Sequence, residues 1–301
     1  MTRFAPHGAA SRWLVLLSIA VLTGCASFPT PEGDRSSAAG RELLEASADA
    51  HGLSAYRRLK DINVSYDGRW FDAVTRLQPV LVDSRFRGTS EERLLVGGPI
   101  GQAHRGADGV KQVAHARERT SLWYNGRPDT DAERIAAARL VAEGYRLFLL
   151  GPIDLLERNA IVERIGDEII DGRRYQKLFA RLRPGIGHAD EDRVLAWIDA
   201  ESRLVHRLWI SADALASTRG VIAEIDLDEY RTIGGVRWPT RFFERLKRPF
   251  PLDVHTWRLV GLDLDRGYSS ADITAPTFQG AAAAPARPLP SADPDPQVER
   301  R

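Results

Sequence analysis

Between residues 43 and 70, the spacing of the apolar residues changes from that of a helix to that of a strand. Apolar residues recur every three or four positions between Leu43 and Leu59, with a break at residues 51–52, which predicts two short helices. From residue 62 the period falls to two. The apolar positions of this segment are Ile62, Val64, Tyr66 and Trp70, with mostly polar residues between them. This alternation predicts a strand with one apolar face.

The same alternation returns after the first strand. Val80, Val82 and Phe86 alternate with a mostly polar set that includes Arg87, which predicts a second strand. A glycine pair at residues 97–98 ends the next apolar segment. Further short strands are expected at residues 93–96, 110–116 and 121–124.

Residues 129–150 have the clearest helical sequence in the chain. Asp129, Thr130 or Asp131 can cap its N-terminus, and the Gly-Pro pair at residues 151–152 ends it. The segment is rich in alanine, leucine and aromatic residues. So much apolar surface on one helix must be covered, and a curved sheet would cover it.

Residues 161–265 consist almost entirely of strand and turn patterns. Hairpin signals stand at residues 171–172 (DG) and 234–235 (GG). The predicted strands are residues 174–183, 194–199, 204–210, 221–230, 236–245 and 254–264. Their regular spacing indicates an antiparallel meander, and with the N-terminal strands the total reaches about ten or eleven.

The N-terminal sequence has the layout of a secretory signal peptide. Two arginines precede an apolar run at residues 13–21, which is shorter than the roughly 20 residues that span a bilayer. Residues 22–25 (LTGC) resemble a bacterial lipobox. The resemblance implies cleavage after Gly24 and acylation of Cys25. Because Ala26 follows the cysteine, it also implies anchoring in the inner leaflet of the outer membrane, with the body facing the periplasm.

These patterns divide the chain into four parts. They are a signal peptide (1–24), a flexible tether (25–38), a folded domain (39–275) and a disordered tail (276–301). Cys25 is the only cysteine, so it has no disulfide partner. The net charge of +1 gives no argument for nucleic-acid binding, and we expect a monomer.

Two passages of the chain carry a family resemblance. The first is residues 42–60, and the second is residues 197–210 with the hairpin at residues 228–239. In both, the chain resembles the LolA/LolB-like superfamily, which also includes LppX-type lipoproteins and MucB/RseB sensor domains. The resemblance extends over roughly residues 40–270. It implies an α+β fold in which a curved antiparallel sheet, an incomplete half-barrel, is covered by helices and binds acyl chains on its concave face.

The sequence contains no recognisable catalytic motif. HExxH, GxSxG and P-loop sequences are absent, and no cysteine–histidine cluster has metal-ligand spacing. An acylated Cys25 could not act as a nucleophile. Residues 188–192 (HADED) offer an imidazole and carboxylates, but such a composition is typical of a polar loop between strands. We therefore expect no enzymatic activity, no cofactor and no metal.

The apolar strand positions are the remaining candidates for ligand binding. They are Val64, Tyr66, Trp70, Val82, Phe86, Leu204, Leu208, Ile210, Trp238 and Phe242. In a closed barrel they would fill the core, whereas in an open half-barrel they would line a lipid groove. Two functions follow. The protein is either a membrane-anchored carrier that holds a lipid or an acylated protein, or an envelope interaction or sensor protein with a filled core and no ligand.

Overall fold

The computed structural model describes residues 26–31, 33–116, 119–278 and 282–283. The predicted signal peptide, the lipidation site Cys25 and most of the predicted tail lie outside the described residues, so these expectations remain predictions. In the part of the chain that is described, no helix is both long enough and apolar enough to cross a membrane.

Strands dominate the described chain, and most of its helices are short. The strands are β1 (Asp61–Trp70), β2 (Thr89–Leu95), β3 (Ile100–Gly106), β4 (Gly109–Ala116), β5 (Arg119–Tyr124), β6 (Arg127–Asp129), β7 (Ile161–Ile170), β8 (Arg173–Leu182), β9 (Asp192–Asp199), β10 (Val205–Ser211), β11 (Ile222–Asp228), β12 (Arg231–Ile233), β13 (Val236–Trp238), β14 (Arg241–Arg248) and β15 (Leu252–Leu264). The helices are α1 (Ala38–Ala50), α2 (Leu53–Tyr56), α3 (Asp72–Leu77), α4 (Pro79–Val82), α5 (Ala132–Leu150), α6 (Pro152–Glu157) and α7 (Ser270–Thr274).

In the described residues, thirteen strands form one antiparallel sheet that is not closed. Its centre is the pair β1 and β15. One meander runs outward from β1 through β2 to β6, and the other runs from β15 through β14 and β11 to β7. The structure confirms the α+β class and the curved, incomplete antiparallel sheet. The predicted ten or eleven strands are too few, because residues 89–129 form five short strands and residues 161–170 form a further one.

Helix α5 connects the two edges of the sheet, because it follows β6 and leads through α6 to β7. At its start, the Asp131 side chain accepts a hydrogen bond of 2.9 Å from the backbone N–H of Arg134. It ends at Gly151, whose φ of 52° suits glycine. Of the 19 residues of α5, 13 are buried, and nine of these belong to the main core. The predicted helix and its cover by the sheet are confirmed.

The second predicted strand is wrong. Val80 and Val82 lie in α4, and Phe86 lies in the turn that follows it. Pro79 stands at the first turn of α4, where its fixed φ and missing N–H favour a helix. Asp83 then takes a left-handed conformation, with φ 46°, and ends the helix. One turn of helix with Val82 facing the core therefore gives the same alternation of apolar and polar residues as a short strand.

A register shift changes the predicted strand at residues 204–210. Leu204 precedes β10 and is partly exposed, whereas Val205 is 1% exposed and belongs to the main core. The pairing of β10 with β9 shifts between Val205 and Arg207. Such an irregularity reverses which side chains face inward, so the predicted shared face of Leu204 with Leu208 is wrong.

The predicted strand at residues 236–245 is divided in two. β13 ends at Trp238, and β14 begins at Arg241. Pro239 has no N–H to donate to a ladder, which accounts for the interruption. Trp238 and Phe242 therefore belong to different sheets, although both side chains are buried in the same core.

The described parts of both flanking segments pack on the sheet. Phe28, from the predicted tether, is buried on the outer face beside Trp209, with ring centroids 6.3 Å apart. Asp34 pairs with Arg181 at 3.3 Å. From the predicted tail, the ring of Phe278 lies 4.3 Å from the guanidinium carbon of Arg93.

Candidate functional site

Helix α5 fills much of the inner face of the sheet, and most of the candidate groove residues pack beneath it. Those in the main core are Val64, Tyr66, Leu208, Ile210, Trp238 and Phe242, each between 0 and 5% exposed. Val82 belongs to a smaller cluster, against which Trp70 packs. Leu204 and Phe86 lie outside these clusters, and the Phe86 ring contacts Tyr124 at a centroid distance of 4.7 Å.

A cavity of about 110 Å³ remains between α3, α4, α5 and the strands β10, β11, β14 and β15. We call it the apolar cavity, because most of its lining is aliphatic or aromatic: Val74, Leu81, Leu140, Val141, Phe148, Ala223, Leu246 and Val254. Three candidate groove residues, Trp70, Val82 and Ile210, also line it. On the α5 side it meets Gly144, where an added Cβ would contact only the Phe148 ring, at 3.8 Å.

The short helices α3 and α4 cover one side of this cavity. Val74 and Val82 anchor them to Val254 of β15. The Gln78 side-chain amide donates to the Ser217 carbonyl at 2.8 Å. Val80 and Leu81 of α4 also pack against the main core. With six and four residues, α3 and α4 are far shorter than the 19-residue helix α5 on the opposite side.

A buried arginine lies where the apolar cavity meets the polar part of the interior. Arg87 is 4% exposed and donates from Nη1 to the Leu81 carbonyl, at 2.9 Å, and to the Val82 carbonyl, at 3.4 Å. Its Nη2 donates to the Tyr145 hydroxyl at 3.3 Å. Its guanidinium carbon also lies 4.6 Å from the centre of the Trp70 ring.

A second, smaller cavity of about 20 Å³ lies on the other side of Arg87. We call it the polar cavity. Tyr145, His104 and His255 line it together with Arg87 and Trp70. The Tyr145 hydroxyl and His255 Nδ1 are hydrogen-bonded at 3.1 Å, and the His255 ring stacks on Trp70 at 3.8 Å.

Burial keeps both histidines of the polar cavity neutral. For His104, burial is the main reason that the pKa lies well below its usual range, and the positive charges of Arg87 and Lys111 act in the same direction. For His255, burial and then Arg87 lower the pKa. His104 Nε2 has no hydrogen-bond partner among the described residues.

Two carboxyl groups near Arg87 have raised pKa values. Burial raises the pKa of Glu244, which lines the apolar cavity, to about 7, and Arg87 opposes that rise. Burial raises the pKa of Glu92 to about 8, although a hydrogen bond from Gln102 and the charge of Arg87 lower it. Near neutral pH, these groups therefore supply only part of the negative charge that two ionised carboxylates would supply.

A larger depression of about 880 Å³ adjoins the junction of α5 and α6. Its charged side chains neutralise one another: Glu143 accepts from Arg139 at 2.7 Å and lies 3.2 Å from His115, and Asp154 accepts from Arg146 at 2.9 Å. Of these pairs, Arg146–Asp154 joins α5 to α6. The apolar cavity beside Arg87 is therefore the stronger candidate for a ligand site.

The described residues contain no group of three or more histidine, cysteine, aspartate or glutamate side chains that could hold a metal ion. The sequence interpretation missed Arg87, because the alternating pattern placed it on the polar side of a strand, facing water. No motif distinguishes Arg87 from the exposed arginines nearby, and its burial results from packing among α4, α5 and Trp70 of β1.

Comparison with known proteins gives structural neighbours only. No protein-family model matches the chain, and no curated protein gives a significant match. Solved structures similar to this chain include a DUF1329 family protein from Desulfovibrio piger, with 16% identity, coverage of 80% of this chain and 98% of that chain, and a TM-score of 0.48. A LolA superfamily protein from Nitrosomonas europaea has 12% identity, coverage of 78% and 97%, and a TM-score of 0.48.

The lipoprotein LppX from Mycobacterium tuberculosis is a more distant neighbour, with 11% identity, coverage of 76% of this chain and 98% of that chain, and a TM-score of 0.26. The neighbours thus include LolA-superfamily and LppX-type proteins, which are the groups that the sequence resembles. At such low identities the likeness concerns the fold alone. Any assignment of ligand or partner must rest on the interior of this chain.

Proposed function

We propose that this protein is a cell-envelope lipoprotein that binds an acyl chain of a lipid, or of an acylated protein, in the apolar cavity. The observation that carries the proposal is this apolar space between an open sheet and the two short helices that cover it, α3 and α4. Its driving force is burial of the chain, at about 0.8 kcal/mol per CH₂ group. Binding occurs without chemical turnover, which fits transport of a lipid or lipoprotein.

The cavity must enlarge to accept a long chain. Its volume of about 110 Å³ is below the roughly 150 Å³ of an engineered cavity that holds benzene. Helices α3 and α4, six and four residues long, form the cover that must move, and this movement would break the Arg87 hydrogen bonds to the Leu81 and Val82 carbonyls. Displacing them would join the apolar cavity to the surrounding solvent or membrane.

The proposal is tested on the full chain purified from envelopes in detergent. After organic extraction, which leaves covalent acyl groups on the protein, mass spectrometry should find about one acyl lipid per chain. The control is Gly144→Leu purified in parallel, whose added side chain would occupy the cavity. Wild-type extracts that hold no more lipid than this control would overturn the proposal.

The proposed location rests on the lipobox resemblance. Cys25 would carry the acyl anchor and hold the body at the inner leaflet of the outer membrane, facing the periplasm. Wild-type protein should incorporate labelled palmitate and sediment with outer membranes. Cys25→Ala should lose the label. Retention of the label in that variant would refute the assignment.

The filled core favours a second candidate function. Six candidate groove residues are at most 5% exposed, so the inner face offers little open surface as it stands. An interaction or sensor protein with no lipid would have such an interior. In that case a protein partner would co-purify with wild type and Gly144→Leu alike, and the organic extracts of both would lack lipid.

A further inference from the structure

Among the described residues, Arg87 differs from the other buried cations in having no anionic partner. Arg93 pairs with Glu91 at 2.8 Å, Lys111 with Asp83 at 2.8 Å, and Arg139 with Glu143 at 2.7 Å. By contrast, the described bonds of Arg87 go to two backbone carbonyls and one hydroxyl, and none of the described carboxylates lies within 4 Å of it.

Such an arrangement is unfavourable unless a further group compensates the charge. Arginine stays protonated at all physiological pH values, and burying a charge without an opposite charge is strongly disfavoured. Its guanidinium has five N–H donors, of which the described bonds use three. Arg87 therefore lacks both an opposite charge and acceptors for the N–H donors that the described bonds do not use.

The position of Arg87 joins this capacity to the lipid site. Arg87 lines both the apolar cavity and the polar cavity. On the polar side, the Tyr145 hydroxyl and the neutral ring of His104, whose Nε2 is without a partner in the described chain, are further hydrogen-bonding groups. A ligand with an apolar tail and a small anionic head would satisfy both sides at once.

The dimensions favour one type of head group. The polar cavity of about 20 Å³ holds about one water molecule, so any head group must widen it, and a small anionic head widens it least. A carboxylate is planar and small, and it can accept two parallel hydrogen bonds from a guanidinium. A phosphodiester with its glycerol would require a much larger widening of this space.

We propose that Arg87 binds the carboxylate of an unesterified fatty acid whose tail occupies the apolar cavity. This inference rests on the proposed acyl-binding function and adds the chemical class of the ligand. Tyr145 assists by holding the guanidinium through its hydroxyl. An alcohol or ester of equal chain length is discriminated against, because it would leave Arg87 buried without a counter-charge.

The test compares two ligands that differ only in the head. Laurate and dodecanol are titrated by calorimetry into the detergent-solubilised full chain, with protein-free micelles as the blank. Wild type should bind laurate on the order of 10- to 100-fold more tightly than dodecanol, as expected for a charge-assisted hydrogen-bonded pair. Equal affinities would overturn the carboxylate inference and leave acyl binding intact, whereas absence of binding by both ligands would overturn both.

Two variants make the assignment specific to Arg87. Arg87→Gln should bind both ligands equally, at the affinity that wild type has for dodecanol, while Arg87→Lys should keep part of the preference. The matched control is Arg85→Gln. It removes an equal charge, but from an exposed side chain that lies two positions before Arg87 in the sequence. A laurate preference that survives in Arg87→Gln, or disappears in Arg85→Gln, would refute the assignment. The wild-type comparison stands even if an Arg87 variant fails to fold.

Discussion

Substitutions at Gly144 separate stability from binding, because this residue is in the interior of α5 and lines the apolar cavity. Glycine in a helix interior is less favourable than alanine by about 1 kcal/mol. A Cβ at this position meets only the Phe148 ring, at 3.8 and 3.9 Å, which is ordinary contact. Gly144→Ala should therefore raise the free energy of unfolding by up to about 1 kcal/mol, equivalent to roughly 2–4 °C in Tm for a domain of this size.

Gly144→Leu adds three carbons beyond alanine, and these project toward a cavity of about 110 Å³. Burying them contributes about 2 kcal/mol, which overpacking costs of about 1–3 kcal/mol offset, so we expect stability near that of wild type. Acyl-chain affinity, in contrast, should fall at least about tenfold, because each excluded methylene removes about 0.8 kcal/mol.

The assays for this pair are thermal unfolding followed by circular dichroism and laurate titration of the full chain. Gly144→Ala is the matched control, since it changes the backbone preference without filling the space. Two results would contradict the reasoning. If Gly144→Leu binds laurate with wild-type affinity, the ligand does not use this cavity. If Gly144→Ala lowers Tm, the Cβ has a clash that the structure does not show.

Three further predictions concern the rest of the interior and the flank. Because the folded pKa of Glu244, about 7, exceeds the ordinary value of 4.5, the native state binds more protons between these values, so its contribution to stability is complete below pH 4.5 and is lost as pH rises toward 7. Glu244→Gln should flatten this slope by up to about 1.4 kcal/mol per pH unit in urea unfolding, and an unchanged slope would contradict it. Trp238→Ala should lower the free energy of unfolding by about 3–5 kcal/mol, because Trp238 is fully buried. Ile169→Ala, at a side chain 73% exposed, should stay within about 0.5 kcal/mol in the same assay. Phe28→Ala should change the fluorescence of Trp209 with little effect on laurate binding, and an unchanged spectrum would show that Phe28 does not pack there in solution.

Local signals account for what the sequence predicted well. The meander after residue 161 can be predicted from the sequence, because its antiparallel strands are joined by hairpins whose turn residues are adjacent in sequence. Helix α5 can be predicted from the sequence, because Asp131 and Gly151 mark its ends and apolar residues recur along its length. Both predictions depend on residues near one another in the chain.

The features that decide the candidate site depend on distant contacts instead. One turn of helix at α4 and a strand give similar alternation over a few residues, so Val82 and Phe86 were misplaced. Whether Ile210 lines a groove or a core depends on where α5 lies, and α5 is remote from β10 in sequence. The burial of Arg87 has the same origin, since Leu81 and Tyr145 approach it from different elements.

The pairing at the centre of the sheet has a consequence for the order of folding. Ile62 of β1 pairs with Leu264 of β15, about 200 positions away, whereas most other neighbouring strands are joined by short turns. During synthesis each meander can form soon after its own strands appear, but β1 must wait with one open edge until β15 is complete. Such an edge is a template for pairing with other chains. We therefore expect the interval before β15 emerges to be the stage at which this protein is most prone to aggregate and most dependent on chaperones.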